Sequence, residues 1–267
     1  MPVTLGLLLR DAERRAAGLR RDQAALRAAL SSAPPQRLWR EALDGPVVRV
    51  IAEIKRRSPS AGPIALALDP VAHARAYVEG GAAAISVLTD PVHFGGTLAD
   101  LQEVAAAVSV PVLCKDFIVD PIQLLAARAA GASAVLLIVR ALDAPRLAAL
   151  MAEARNLGLG ILVEVHDRQE VDAALTAGAD VIGANARDLD TFHMHPDKME
   201  NVLGSIPQHI IAVAESGIAG TQDVERLAAC GADAILVGTM VASARDPAAA
   251  VRSLSRIPRR GRSKGSA

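Results

Sequence analysis

The sequence predicts an α/β protein, a (β/α)8 TIM barrel with an N-terminal helical extension, and three observations predict it. Four helix-to-strand junctions recur, Gly80-Gly81-Ala82-Ala83, Gly131-Ala132-Ser133-Ala134, Gly178-Ala179-Asp180-Val181 and Gly231-Ala232-Asp233-Ala234, each with glycine where a helix closes before a buried strand. They stand about fifty residues apart, too long for one βα unit and right for two, so a second strand falls within each interval. Eight short apolar runs meet that requirement, and a chain of 267 residues suits one such domain.

Residues 1–45 form the extension. An amphipathic Ala/Leu/Arg pattern over residues 4–31 is followed by Pro34-Pro35 and a second helical stretch from Trp39 to Leu43, a layer expected to pack across one end of the barrel. The barrel occupies residues 46–256. Its strands are expected at Val47–Ile54, Ala84–Leu88, Val110–Cys114, Ala134–Val139, Gly160–Val165, Val181–Ala184, Ile210–Ala214 and Ala234–Val237. These runs are β-branched and continuous rather than alternating, as in parallel strands covered on both faces, and Ala-rich helical segments fill the gaps. A doubly wound open sheet is the rival architecture, but no GxGxxG or GxxxxGK[ST] loop follows any strand. Residues 257–267, rich in Arg, Lys, Gly and Ser, are expected to be a disordered basic tail.

Composition narrows the function. Hydrophobic residues make up 51% and 29 basic residues balance 29 acidic ones, which supports a large core and argues against a nucleic-acid partner. The N-terminus lacks an apolar signal core and no apolar run reaches membrane-spanning length, so a cytoplasmic protein with no membrane partner is expected. A monomer or weak homo-oligomer is expected. Cys114 and Cys230 lie in different elements with no zinc spacing, which points to a reducing compartment and no disulfide. Of six histidines only His193 and His195 are close, without a matching carboxylate, so no metal is expected.

In a barrel of this type, chemistry sits at the carboxyl ends of the strands. On the first strand the period of two points Glu53 and Lys55 the same way, into the mouth. Lys115 ends the third strand, Glu164 the fifth, and Asn185 and Arg187 follow the sixth, so two ammonium groups and two carboxylates converge in a partly desolvated space. Such groups shift one another's pKa, which supplies an acid and a base near neutral pH without a nucleophile. Glu215-Ser216-Gly217 after strand seven and Gly238-Thr239 after strand eight stand where small residues let backbone N–H groups surround a phosphate. Phe94 and Phe117 follow strands in loops on the same face and suit an aromatic substrate.

These residues resemble the indole-3-glycerol-phosphate synthase family over residues 37–255. The most specific stretch is IAEIKRRSPSAGPI, Ile51 to Ile64, supported by VLCKDFIVDPIQL, LVEVHD, IGANARDLDTF, AESGI and ILVGTMV in the same order. The resemblance implies ring closure of 1-(2-carboxyphenylamino)-1-deoxyribulose 5-phosphate to indole-3-glycerol phosphate, with loss of carbon dioxide and water and no cofactor. It implies that Lys115 is the general acid and Glu164 transfers a proton in dehydration. Lys55 binds carboxylate or shares the acid role, and Glu53 orients these groups. Asn185 and Arg187 hold polar substrate groups, Ser58 positions the first loop, and Phe94 and Phe117 enclose the ring. Glu215 faces the mouth, and Ser216, Gly217, Gly238 and Thr239 cradle the phosphate. Three positions depart from the family pattern: Ala61 for Lys or Arg, Ile122 for Tyr, and Thr239 for Ser or Glu. A catalytically silent paralogue would not require the Glu53, Lys55, Lys115 and Glu164 set. The pathway isomerase that opens phosphoribosylanthranilate has a Cys where this first strand offers Glu53 and Lys55.

Overall fold

The computed structural model describes residues 3–261. Eight strands, β1 (Arg49–Ile54), β2 (Ala84–Leu88), β3 (Val112–Lys115), β4 (Ala134–Ile138), β5 (Gly160–Val165), β6 (Val181–Asn185), β7 (Ile211–Glu215) and β8 (Ala234–Val237), close into a barrel in sequence order. Every ladder is parallel, and β1 pairs with both β2 and β8. The third strand begins after Pro111, which has no N–H to give to a ladder, and extends to include Lys115. The rival open sheet is thereby set aside.

Helices alternate with the strands: α4 (Pro70–Glu79), α5 (Leu98–Ala107), α6 (Pro121–Ala129), α7 (Ala144–Asn156), α8 (Arg168–Thr176), α9 (Pro196–Ser205), α10 (Thr221–Ala229), the one-turn α11 (Thr239–Ala242) and α12 (Pro247–Leu254). Many start on a side-chain cap that satisfies the first free N–H groups. Asp69 accepts from Val71 and Ala72, and reciprocal capping boxes join Thr97 to Asp100 and Asp120 to Gln123. At the four repeated junctions Gly81, Gly131, Gly178 and Gly231 all have φ between +81° and +97°, the left-handed turn that ends each helix before a strand.

Strand periodicity sorts the core into two layers. Inward residues such as Ile51, Leu113, Leu136, Leu162, Val213 and Leu236 fill the barrel, while Val50, Val87, Val135, Val163, Ile182 and Ile235 face the helices. Both sets are almost fully buried, which is why the runs read as continuous rather than alternating.

The extension serves both ends of the barrel rather than the one expected. Its first helix, α1 (Leu5–Leu19), lies at the carboxyl-end face, where Leu5 and Leu8 join a cluster with Phe117 and Leu189. The chain then descends through α2 (Gln23–Ala29), over α6, to α3 (Trp39–Ala42) at the opposite face. There the Arg37 backbone N–H reaches Ser133 Oγ at 3.4 Å and Trp39 lies over Gly160, whose missing Cβ would fall 2.5 Å from Trp39 Cβ.

The tail expected from residue 257 begins packed. Ile257 is buried, Val48 donates to its carbonyl at 2.8 Å, and Arg259 meets Asp233 at 2.5 Å. Backbone hydrogen bonds and one apolar side chain anchor this stretch, which composition alone conceals; residues 262–267 lie outside the described residues. Among the described residues no helix is long and apolar enough to cross a membrane. Both cysteines are free thiols, and burial pushes the Cys114 thiol up to about 12.

Candidate active site

The carboxyl ends of the strands open into a cavity of about 540 Å³, within the range that holds a small ligand. Glu53, Lys55, Ser58, Phe94, Lys115, Phe117, Glu164, Asn185, Arg187, Glu215, Ser216, Gly217, Gly238 and Thr239 all line it. Inward-facing positions on β1, β3, β5 and β7 carry Glu53, Lys115, Glu164 and Glu215, and the β6–β7 register sets Asn185 beside Glu215. The Lys115 ammonium sits among the three carboxylates, 3.3 Å from Glu215, 3.8 Å from Glu164 and 3.9 Å from Glu53, while Lys55 Nζ lies 3.4 Å from the other oxygen of Glu53.

Burial by itself disfavours the charged lysine, but Glu215, Glu53 and Glu164 reverse that effect and raise Lys115 above the usual lysine range. Its ammonium therefore holds its proton firmly at the floor of the cavity. Glu215 rises as well, which in a carboxylate favours the neutral form: burial raises it well above the usual range, opposed by Lys115 and reinforced by the negative charge of Glu164 and Glu53. A folded-state pKa raised above the unfolded value makes the stability contribution complete at low pH and lost as pH rises through the folded value. Glu215→Gln is therefore expected to melt about 3 °C or more above the parent at about pH 9, with the gap closing toward about pH 5, in a thermal-melt series against pH.

Two glycines make this packing possible. A Cβ on Gly183 would fall 2.0 Å from Glu215 Oε1, and one on Gly238 would fall 2.5 Å from Glu53 Oε1. Gly238, expected on the phosphate side, thus also gives Glu53 its space. Ser216 and Gly217 are consecutive left-handed residues, at φ 71° and 74°, and turn the backbone over the mouth. Such a conformation at a non-glycine residue is costly and concentrates at functional sites.

The loop after β1 folds as a short hairpin of Arg57–Ser58 against Gly62–Pro63. Ser58 Oγ accepts from the Ala61 N–H at 3.1 Å, and Arg187 donates to Ser60 Oγ and to the Phe192 carbonyl, each at 3.1 Å. Asn185 Oδ1 in turn accepts from the Arg187 N–H at 2.9 Å. Arg56 grips both carboxylate oxygens of Asp100 on α5 at 2.8 Å and donates to the Gly95 carbonyl at 2.9 Å, tying this loop to the one that carries Phe94. The rings of Phe94 and Phe117 lie 6.3 Å apart, tilted by 35°, on the cavity wall. Of the departures noted above, Ala61 and Thr239 line the cavity, whereas Ile122 packs with Ala16 and Leu125 beneath the extension and does not reach the mouth.

Sequence reasoning missed several participants. Phe192, at φ 57°, lines the cavity beside Leu189. Asp90 and Asp116 also line it and stand just beyond β2 and β3, so the rule of reading strand ends could have found them. Arg15 could not be found that way: from α1 it reaches across to Asp90 at 2.8 Å and Asp116 at 2.5 Å. Burial raises Asp116, and Arg15 with Thr89 opposes that shift. The same helix offers Asp11 to His93 at 2.9 Å. Arg15 thus clamps the loops that present Lys115, Phe117 and Phe94. Arg15→Met is expected to lower kcat/KM about tenfold by loosening that geometry, measured in steady-state assays beside the parent.

A family model described as indole-3-glycerol phosphate synthase matches residues 9–254. The chain belongs to the indole-3-glycerol phosphate synthase family. The indole-3-glycerol phosphate synthase of Mycobacterium ulcerans (strain Agy99) is 49% identical over 229 residues, covering 86% of this chain and 84% of that protein. The protein of the same name from Nocardioides sp. (strain ATCC BAA-499 / JS614) is 48% identical over 255 residues, 96% of this chain and 97% of that one. Among solved structures, 3-hexulose-6-phosphate synthase from Salmonella typhimurium superposes with a TM-score of 0.61 at 17% identity, over 78% of this chain and 97% of that one, a likeness of fold alone. For a member of the synthase family, the cavity described above is the place to seek substrate, since it is concave, partly apolar and charged at its floor.

Proposed function

We propose that this chain closes the ring of 1-(2-carboxyphenylamino)-1-deoxyribulose 5-phosphate, releasing carbon dioxide and water, to form indole-3-glycerol phosphate. It is a carboxy-lyase of tryptophan biosynthesis, acting in the cytoplasm on a small phosphorylated substrate without a cofactor. The observation that carries this reading is Lys115, held protonated among Glu53, Glu164 and Glu215 at the floor of a cavity walled by Phe94 and Phe117.

Ring closure requires the aromatic carbon that bears the carboxylate to attack the ketone carbon. The ketone oxygen gains negative charge as that bond forms, and Lys115 donates the proton it needs. Carbon dioxide then leaves and restores the aromatic ring. The new hydroxyl then departs as water, its C–O bond breaking as the oxygen takes up a proton, and the neighbouring methylene carbon gives up a proton to form the indole double bond, with Glu164 carrying the proton transfer. Lys55 pairs with the substrate carboxylate or shares the acid role, Glu53 holds both lysines in place, and Asn185 and Arg187 bind polar groups of the chain. Ser58 shapes the first loop. Ser216, Gly217, Gly238 and Thr239 surround the phosphate, and Glu215 faces the same mouth beside Lys115.

The test is to mix the purified protein with 1-(2-carboxyphenylamino)-1-deoxyribulose 5-phosphate and follow indole absorbance and fluorescence. Product formation at a rate proportional to protein supports the reading. Saturable binding without product would leave a phosphate-binding barrel and overturn it.

A further inference from the structure

Behind Glu164 lies a chain of polar groups that the proposed reaction does not use. Glu164 and His166 both project from the end of β5 on the inward face, and both are buried. Glu164 Oε2 faces Lys115 at 3.8 Å, whereas Oε1 faces His166 Nε2 at 3.5 Å. Neither Oε1 nor Nε2 has a hydrogen-bond partner among the described residues, and neither touches solvent. Two buried polar atoms left unpaired would each carry a desolvation penalty.

The far side of the imidazole is fully engaged. Glu170, on α8, accepts from the His166 backbone N–H at 2.7 Å and lies 3.2 Å from Nδ1. Arg140, just beyond β4, pairs with Glu170 at 2.9 Å and lies 3.5 Å from Asp188 after β6. Burial pushes Glu170 up, but His166 and Arg140 outweigh it and hold this carboxyl below the usual range. An ionised Glu170 accepts and cannot donate, so Nδ1 carries a hydrogen toward it, and the ring's orientation follows.

We propose that His166 is a positioning residue for Glu164: one proton lies between Nε2 and Oε1, pinning that oxygen so that Oε2 alone faces Lys115 and the substrate. The 3.5 Å separation closes to hydrogen-bond length when substrate fills the mouth, as catalytic contacts commonly tighten in the complex. Arg140 and Glu170 hold the ring from behind, in the way a third group orients the base of a nucleophile–base pair. The charged groups facing this pair are Lys115 from β3 and Glu170 from α8, with Arg140 and Asp188 one layer further out. The proposal rests on the proton-transfer role given to Glu164.

Two substitutions separate positioning from packing. The amide nitrogen of Gln can stand where Nε2 stands, whereas that of Asn stands near Nδ1 and keeps only the contact with Glu170. His166→Asn is expected to lower kcat about tenfold with KM within about twofold, and His166→Gln to retain most of kcat, because only an interaction made in the transition state is lost. Glu164→Gln, assayed beside them with the carboxyphenylamino-deoxyribulose phosphate, reports on the role of Glu164 itself. If it is impaired while His166→Asn is not, or if Asn and Gln fall alike, the positioning role is overturned. An unimpaired Glu164→Gln instead removes the role on which the proposal stands, and the proposal with it.

A measurement on the unsubstituted protein covers the case in which a variant fails to fold. Ring ¹⁵N NMR of His166 is recorded with the borohydride-reduced alcohol of the substrate bound. A hydrogen on Nδ1 together with a hydrogen-bonded Nε2 supports the proposal, and a bare, unbonded Nε2 sinks it.

Discussion

Lys115→Ala is expected to lower turnover by about a hundredfold or more while changing substrate binding far less, because a general acid acts on the barrier and not on the ground state. The geometry makes this residue hard to replace. Its ammonium is the group within 4 Å of Glu53, Glu164 and Glu215 together, and the nearby Lys55 pairs with a different oxygen of Glu53. Steady-state kinetics with the carboxyphenylamino-deoxyribulose phosphate would show the loss in kcat; near-normal turnover would move the acid role to Lys55. Removal of Lys115 also leaves three buried carboxylates without the cation they share. Glu215, which burial already raises and Lys115 opposes, then rises further, so the variant is expected to lose stability relative to the parent as pH rises above about 5. The variant should therefore be assayed at a pH where its unfolding curve is still complete.

Trp39→Ala is expected to cost about 3–5 kcal/mol of stability, the range for removing a large buried aromatic, with kcat close to that of the parent. Trp39 is 3% exposed and sits against Gly160 at the amino end of β5, the opposite end of the barrel from Lys115. Its indole N–H has no hydrogen-bond partner among the described residues, so the ring acts by filling space. Trp39→Phe should accordingly cost much less than Trp39→Ala. Urea unfolding midpoints of the two variants, read with activity before the transition, separate the end that holds the barrel closed from the end that does chemistry. A large fall in kcat for folded Trp39→Ala would contradict that separation.

The barrel was legible because its signals are local and repeated. Gly81, Gly131, Gly178 and Gly231 mark turns that neighbouring residues alone require, and a strand covered on both faces leaves a continuous apolar run in the chain. The strand ends carried the candidate site for the same reason: the parity of Glu53 and Lys55, or of Lys115 on β3, states which face they occupy. The rest depended on separations that no pattern records. Arg15 meets Asp90 and Asp116 across 75 and 101 residues of sequence, from a helix whose Arg-rich face reads as solvated surface. Gly183 in mid-strand gives no hint that the carboxylate of Glu215 needs its missing side chain.

Of this protein, the amino-acid order by itself determined the number and direction of the strands, the face on which charge would gather and the kinds of groups found there. Periodicity and turn chemistry act within a few residues and are therefore written in the chain. Only the tertiary structure decided that the extension spans both ends of the barrel, that Ile257 and Arg259 bind back to Val48 and Asp233, and which carboxylate oxygen faces Lys115 and which faces His166. Those outcomes are set by distance and desolvation between groups far apart in sequence, and they exist only once the core has closed around them.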